Sequence, residues 1–171
     1  MNIAKHCWQV FGVVYVLGIL LVFPTQTQTQ VTGKGETTMA ATFESRTISI
    51  RINRPADMVY DFASVPENFP KWASGLGKSL TKTDGEWIAE TPQGPMKVRF
   101  TERNRFGVLD HYVIPEPGLE IYVPMRVIAN GTGSELIFTL FRLSDMSDEK
   151  FAEDVEWVKR DLNALKNLLE S

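Results

Sequence analysis

The sequence predicts an α+β domain: an antiparallel sheet, two short helices inserted after its first strand, and one long helix at the C-terminus. Three observations predict it. Short runs through the middle of the chain alternate apolar and polar residues, the period of a half-buried strand. The turns between those runs are too short for crossover helices, so neighbouring strands are antiparallel. Finally, Phe151, Val155, Val158, Leu162, Leu165 and Leu169 recur at spacings of 4, 3, 4, 3 and 4, one apolar stripe along a helix.

In "TISIRIN", Ile48, Ile50 and Ile52 share one face of the first strand. Pro55 suits the first turn of a helix, and Met58, Val59, Phe62 and Ala63 form its apolar stripe. Pro66 starts a second short helix and Pro70 stops it, because an interior proline costs a helix about 3 kcal/mol. Phe69 and Trp72 are left on its inner side, and Gly75-Leu76-Gly77 turns the chain into the sheet. "SLTKT", "EWIAET", "GPMKVRFTER", "GVLDHYVIP", "LEIYVPMRVIA" and "SELIFTLFR" then bring the total to seven strands. Asp84-Gly85 and Asn130-Gly131 are strong hairpin signals, which also accounts for the glycosylation-like Asn130-Gly131-Thr132. Ser147 caps the last helix, with Asp148 and Glu149 at its positive end. A coiled coil is the rival reading of the final stripe. It ranks second because the sheet has an apolar face to cover.

The chain of 171 residues suits one domain with a sizeable core. Residues 1–23 stand apart. Lys5 and His6 precede an uncharged run from Cys7 to Phe23, which reads as an uncleaved signal-anchor with the domain outside the cytoplasm. The alternatives are a cleaved signal, or a true start at Met39 that would leave a cytoplasmic protein. Residues 24–42 read as a polar linker and residues 43–171 as the folded domain.

A net charge of −3 without basic clustering argues against a nucleic-acid partner. The lone Cys7 excludes an internal disulfide, and two histidines without an acidic cluster argue against a metal site. No phosphate-binding glycine loop, serine elbow or HExxH motif is present, and no cofactor is expected.

The turns also set a register, in which directly opposite residues share a face. Closing the hairpins at Asp84-Gly85, "PQGP", "NRF", "PEPG" and Gly131-Thr132 places Leu80, Trp87, Ala89, Met96, Val98, Phe100, Asp110, Tyr112, Val123, Met125, Phe138 and Leu140 inside. His111 then lies outside. Asp110 becomes the odd residue, a carboxylate on an apolar face. It either hydrogen-bonds locally, or anchors the polar end of a ligand, or serves as acid or base. Arg142 falls on the inner face at the end of the last strand, within reach of Asp110 or a ligand carboxylate, though an arginine there more often extends to solvent.

The element order, with "RPADMVYDFASVPENFPKW", "NGTGSELIFTLFR" and "MSDEKFAEDVEWVKRDLNALKNLLE", resembles the polyketide cyclase/dehydrase-like branch of the START/Bet v 1-like (SRPBCC) superfamily from about Glu44 to Ser171. The resemblance implies a helix-grip fold: a seven-stranded curved antiparallel sheet wrapped around the long C-terminal helix, with a cavity between them. It also implies a small hydrophobic or amphipathic ligand (a lipid, polyketide-like or aromatic compound); by the facing set out above, Phe69, Trp72, Trp87, Phe100, Asp110, Tyr112, Met125 and Phe138 would contact it, with Asp110 and Tyr112 orienting its polar end. The alternatives are a cyclase or dehydratase using Asp110 as acid/base and Tyr112 as hydrogen-bond donor, or a filled domain acting through its surface.

Overall fold

A computed structural model describes residues 42–74, 79–91 and 94–171. The predicted anchor at 7–23, the linker up to residue 41, the start at Met39 and the Gly75–Gly77 turn lie outside the described residues. Among the described residues no helix is long and apolar enough to cross a membrane. The order is β1 (Ser45–Ile52), α1 (Ala56–Ala63), a 3₁₀ helix (Pro66–Lys71), β2 (Ser79–Thr83), β3 (Glu86–Thr91), β4 (Gly94–Phe100), β5 (His111–Glu116), β6 (Leu119–Val123), β7 (Met125–Asn130), β8 (Gly133–Phe141) and α2 (Asp148–Glu170). This is the predicted α+β order.

The strands pair antiparallel as β1-β8-β7 and β2-β3-β4-β5-β6. The run predicted as one strand, "LEIYVPMRVIA", is divided between the two sheets at Pro124, which has no N–H to give a ladder. The sheets are nonetheless joined. Leading into β5, Leu109 N donates to Met125 O (2.8 Å) and Val127 N to Gly107 O (2.9 Å), with Val108 opposite Arg126. The same register continues through His111 opposite Val123 and Val113 opposite Ile121. The strands therefore form one curved surface, bent at Pro124.

The predicted register holds at two of the five turns. Thr83 faces Glu86, Asn130 faces Gly133, Met125 faces Phe138 and Val127 faces Leu136. Between β3 and β4 the pairing is displaced by two residues, so Trp87 faces Val98 rather than Phe100. A shift of two leaves each side chain on its expected face.

β5 is different. It is displaced by one residue against both neighbours, so Phe100 faces His111, and His111 faces Val123. One residue reverses the faces of a strand. Leu109, His111 and Val113 are buried inside, and Asp110 and Tyr112 point outward, the opposite of the expectation. The causes are at the strand's two ends. The loop before β5 is not a tight "NRF" hairpin. The Asn104 side chain organises it, donating to the Glu102 and Val108 carbonyls and accepting from the Phe106 and Val108 amides. After β5, a turn at Pro117-Gly118 (Gly118 φ 90°) is compounded by a bulge between Val113 and Glu116, where Pro115 cannot donate to the ladder.

α2 covers the inner face. Phe151, Val158, Leu162 and Leu165 are buried, with Val155 and Leu169 at the margins. Ser147 Oγ accepts from Lys150 N (3.2 Å), the predicted cap. The helix runs beside β1, with Arg46 over the Phe151 ring at one end and Glu170 accepting from Asn53 N (2.6 Å) at the other. Arg142 pairs with Glu44 and Asp148 and donates to Met146 O, tying the end of β8 to the start of α2. On α1, Met58 is exposed rather than docked. Tyr60 is buried instead, its hydroxyl accepting from Asn104 N (2.7 Å).

Gly107 has φ 70°, and a Cβ there would run into the Val127 carbonyl oxygen. Gly107→Ala should lower the free energy of unfolding by more than about 2 kcal/mol in urea titrations. Gly118→Ala, with a positive φ but open space around it, should cost only about 1 kcal/mol.

Candidate functional site

Four of the predicted ligand-contacting residues form one aromatic cluster. A 3₁₀ helix has three residues per turn, so Phe69 and Trp72 project from the same side. Their ring centroids are 4.7 Å apart. Phe69 meets Phe100 edge-on at 4.9 Å, and Phe100 meets Trp87 at 6.3 Å. Such contacts add about 0.5–1.5 kcal/mol each beyond area burial. Met125 and Phe138 lie opposite one another on the inner face of β7 and β8.

The sequence reading missed the centre of the cluster, which is His111. Its ring is 5.3 Å from Phe69 and 5.7 Å from Phe100, and the residue is 4% exposed. Its burial follows from the backbone. In a regular ladder Met125 N would donate to the Leu109 carbonyl. Here Met125 N donates to Asp110 Oδ1 (2.9 Å), and the Leu109 carbonyl is 3.2 Å from His111 Nδ1. A carbonyl only accepts, so Nδ1 carries the proton. Burial pushes the His111 pKa down to about 4, against smaller upward pulls from Leu109 O and the Asp110 charge. At neutral pH the imidazole is uncharged, with Nε2 a bare acceptor. A signal for the correct phase was present in Pro115, which in mid-strand implies a bulge and hence a one-residue slip.

Asp110 and Tyr112 sit on the outer face, as a structural brace. Asp110 Oδ2 accepts from Tyr122 OH (2.5 Å), which pushes the Tyr122 pKa up to about 12. Tyr112 stacks on Tyr122 at 5.0 Å, beneath the Arg99 guanidinium, which pairs with Glu120 through two bonds.

Among the described residues three buried polar atoms have no hydrogen-bond partner: Trp72 Nε1, Ser134 Oγ and Asp154 Oδ2. Asp154 is a second residue the sequence reading missed. It is fully buried on α2 between Phe151 and Val158, with Lys150 bonded to its other oxygen. Its signal was faint: an acidic residue one turn from two members of the apolar stripe. Among the described residues no group of His, Cys, Asp and Glu is arranged to hold a metal.

His111 and Asp154 have opposite pH linkages. The folded pKa of His111 lies below its ordinary 6.5, so its contribution is fully present above that value and is lost as pH falls toward 4. Burial raises the Asp154 pKa from 3.8 to about 6, so its contribution is greatest below 3.8 and is lost as pH rises through 6. Between about pH 4 and 6 the two offset each other. Asp154→Asn removes one of them. Relative to wild type, the variant should gain stability by up to about 3 kcal/mol from pH 4 to pH 7, measured by denaturant titration at each pH.

No curated protein matches the chain. Solved structures resemble it at low identity. An uncharacterised protein from Bacillus thuringiensis superposes with a TM-score of 0.59 at 18% identity, covering 75% of this chain and 100% of that one. The Aha1 dimer from Colwellia psychrerythraea gives 0.58 at 14%, covering 74% and 96%. Ara h 8.0201 gives 0.53 at 9%, covering 75% and 99%. These likenesses establish the helix-grip fold. The family model described as "Polyketide cyclase / dehydrase and lipid transport" matches residues 43–170. With the sheet, the two short helices and α2 all inside that span, the chain belongs to the polyketide cyclase/dehydrase and lipid transport family.

Proposed function

We propose that the domain binds a small hydrophobic or amphipathic molecule, lipid-like, polyketide-like or aromatic, between the sheet and α2. One observation carries this reading. Phe100 and Phe138 point inward from strands that have neighbours on both sides, yet both rings remain only partly buried. A helix that filled the interior would bury the rings at the middle of a sheet most completely. Apolar surface left accessible there suits a guest, whose burial would contribute at most about 25 cal/mol per Å². Phe69, Trp72, Trp87, Phe100, Met125 and Phe138 are its proposed contacts.

An enzymatic reading, cyclisation or dehydration of the same class of compound, loses Asp110 and Tyr112 because they face outward. Its acid/base would pass to His111, whose pKa of about 4 makes it a weak base at neutral pH. That favours binding over catalysis. A domain acting only through its surface is the remaining reading.

Native mass spectrometry of the full chain, purified from its own host, should reveal a bound small molecule. A ligand-free protein that no lipid or aromatic compound stabilises against heat would refute the binding reading. Asp110→Asn should weaken the fold by about 1–2 kcal/mol, through the bonds from Met125 N and Tyr122 OH, while leaving ligand preference unchanged. A changed preference would return Asp110 to the site.

A further inference from the structure

Trp72 and His111 flank the Phe69 ring, on the 3₁₀ helix and on β5 respectively. Each brings one uncommitted polar atom into an otherwise aromatic surrounding. Trp72 Nε1 is a buried donor without a partner among the described residues, and the indole N–H can only donate. On His111 the kink has already used Nδ1, which leaves Nε2 as an acceptor with no partner among the described residues. The unpaired, buried Trp72 donor costs about 1–3 kcal/mol, which a guest that accepts from it recovers, and His111 Nε2 offers the same guest an acceptor.

Resting on the binding reading above, we infer that this corner of the interior selects an uncharged, hydroxyl-bearing aromatic ligand, whose oxygen accepts from Trp72 Nε1 and whose O–H donates to His111 Nε2. A hydroxyl is the smallest neutral group that both accepts and donates. The surrounding faces of Phe69, Trp87 and Phe100 suit an aromatic body. A carboxylate fits badly. It could accept from Trp72, but it has no proton for Nε2, its lone pairs would face that of the neutral imidazole, and its charge would lose its hydration. The charges on the outer face, Arg99 and Glu120 among them, already neutralise one another.

Equilibrium dialysis of the full chain at pH 7 with 2-naphthol, 2-methylnaphthalene and 2-naphthoate tests this. The three probes share one ring system and differ in the polar end. The naphthol should bind about tenfold more tightly than the methyl compound, and the naphthoate most weakly. Trp72→Phe and His111→Phe, which keep a ring in place, should each remove most of the naphthol's advantage while the methyl compound still binds. Equal affinity for naphthol and methylnaphthalene would overturn the polar assignment and leave the binding reading intact. Tighter binding of naphthoate would do the same. Failure of all three probes to bind would overturn the aromatic assignment and leave the lipid-like form of the binding reading to its own test. Should either variant fail to fold, the order of the probes on the wild-type chain decides by itself.

Discussion

Pro124 lacks the amide that would carry the ladder smoothly from β6 into β7, and much of the structure follows from how the chain accommodates that. The sheet bends there and divides in two, while the segment leading into β5 keeps one register across the bend. The ladder bond expected beside the kink, from Met125 N to the Leu109 carbonyl, is replaced at both ends by side chains. Asp110 takes the amide and His111 takes the carbonyl. Two adjacent residues with opposite facing therefore take the place of one ladder bond. The register of β5, set at its two ends, places the carboxylate outside and the imidazole inside, where each meets the kink.

That exchange shapes the interior electrostatically as well as sterically. By engaging Nδ1 it selects the tautomer of His111, and by burying the ring it keeps the ring neutral. Asp110 and its partner Tyr122 stay with the outer ladder, where Arg99 and Glu120 balance charge in solvent. Exposed pairs of that kind contribute little to stability. The inner face is thus polar at isolated points rather than charged, and those points are set among aromatic rings.

The 3₁₀ helix supplies the other half of the site. Pro66 and Pro70 keep Pro66–Lys71 short, and its tighter pitch aligns Phe69 with Trp72. Two residues after Trp72, which is 5% exposed, the chain is tied to α2: Trp157 Nε1 donates to Ser74 Oγ (2.8 Å), which donates to Asp161 Oδ1 (2.6 Å). The indole of Trp72 is therefore a buried wall of the interior rather than a flap at its mouth.

The sequence by itself determined the element order, the strand alternation, the caps and breakers, and the stripe on α2, because each depends on residues only a few positions apart. The resemblance to the family rested on those same segments. It also identified Phe69, Trp72, Trp87 and Phe100 as inward aromatics, since alternation along β3 and β4 survives a slip of two residues. The face of β5 was beyond it. In "GVLDHYVIP" both phases carry apolar residues, Leu109 and Val113 in one, Val108 and Ile114 in the other, so alternation does not choose between them. Turn lengths had to choose, and a bulge at Pro115 and a loop built around Asn104 each moved the strand by one residue in the same direction. Only the tertiary structure decided that His111 looks inward and Asp110 outward. The deciding interactions join residues far apart in the chain: a β5 lead-in pairing with β7, and the Met125 amide donating to the Asp110 carboxylate.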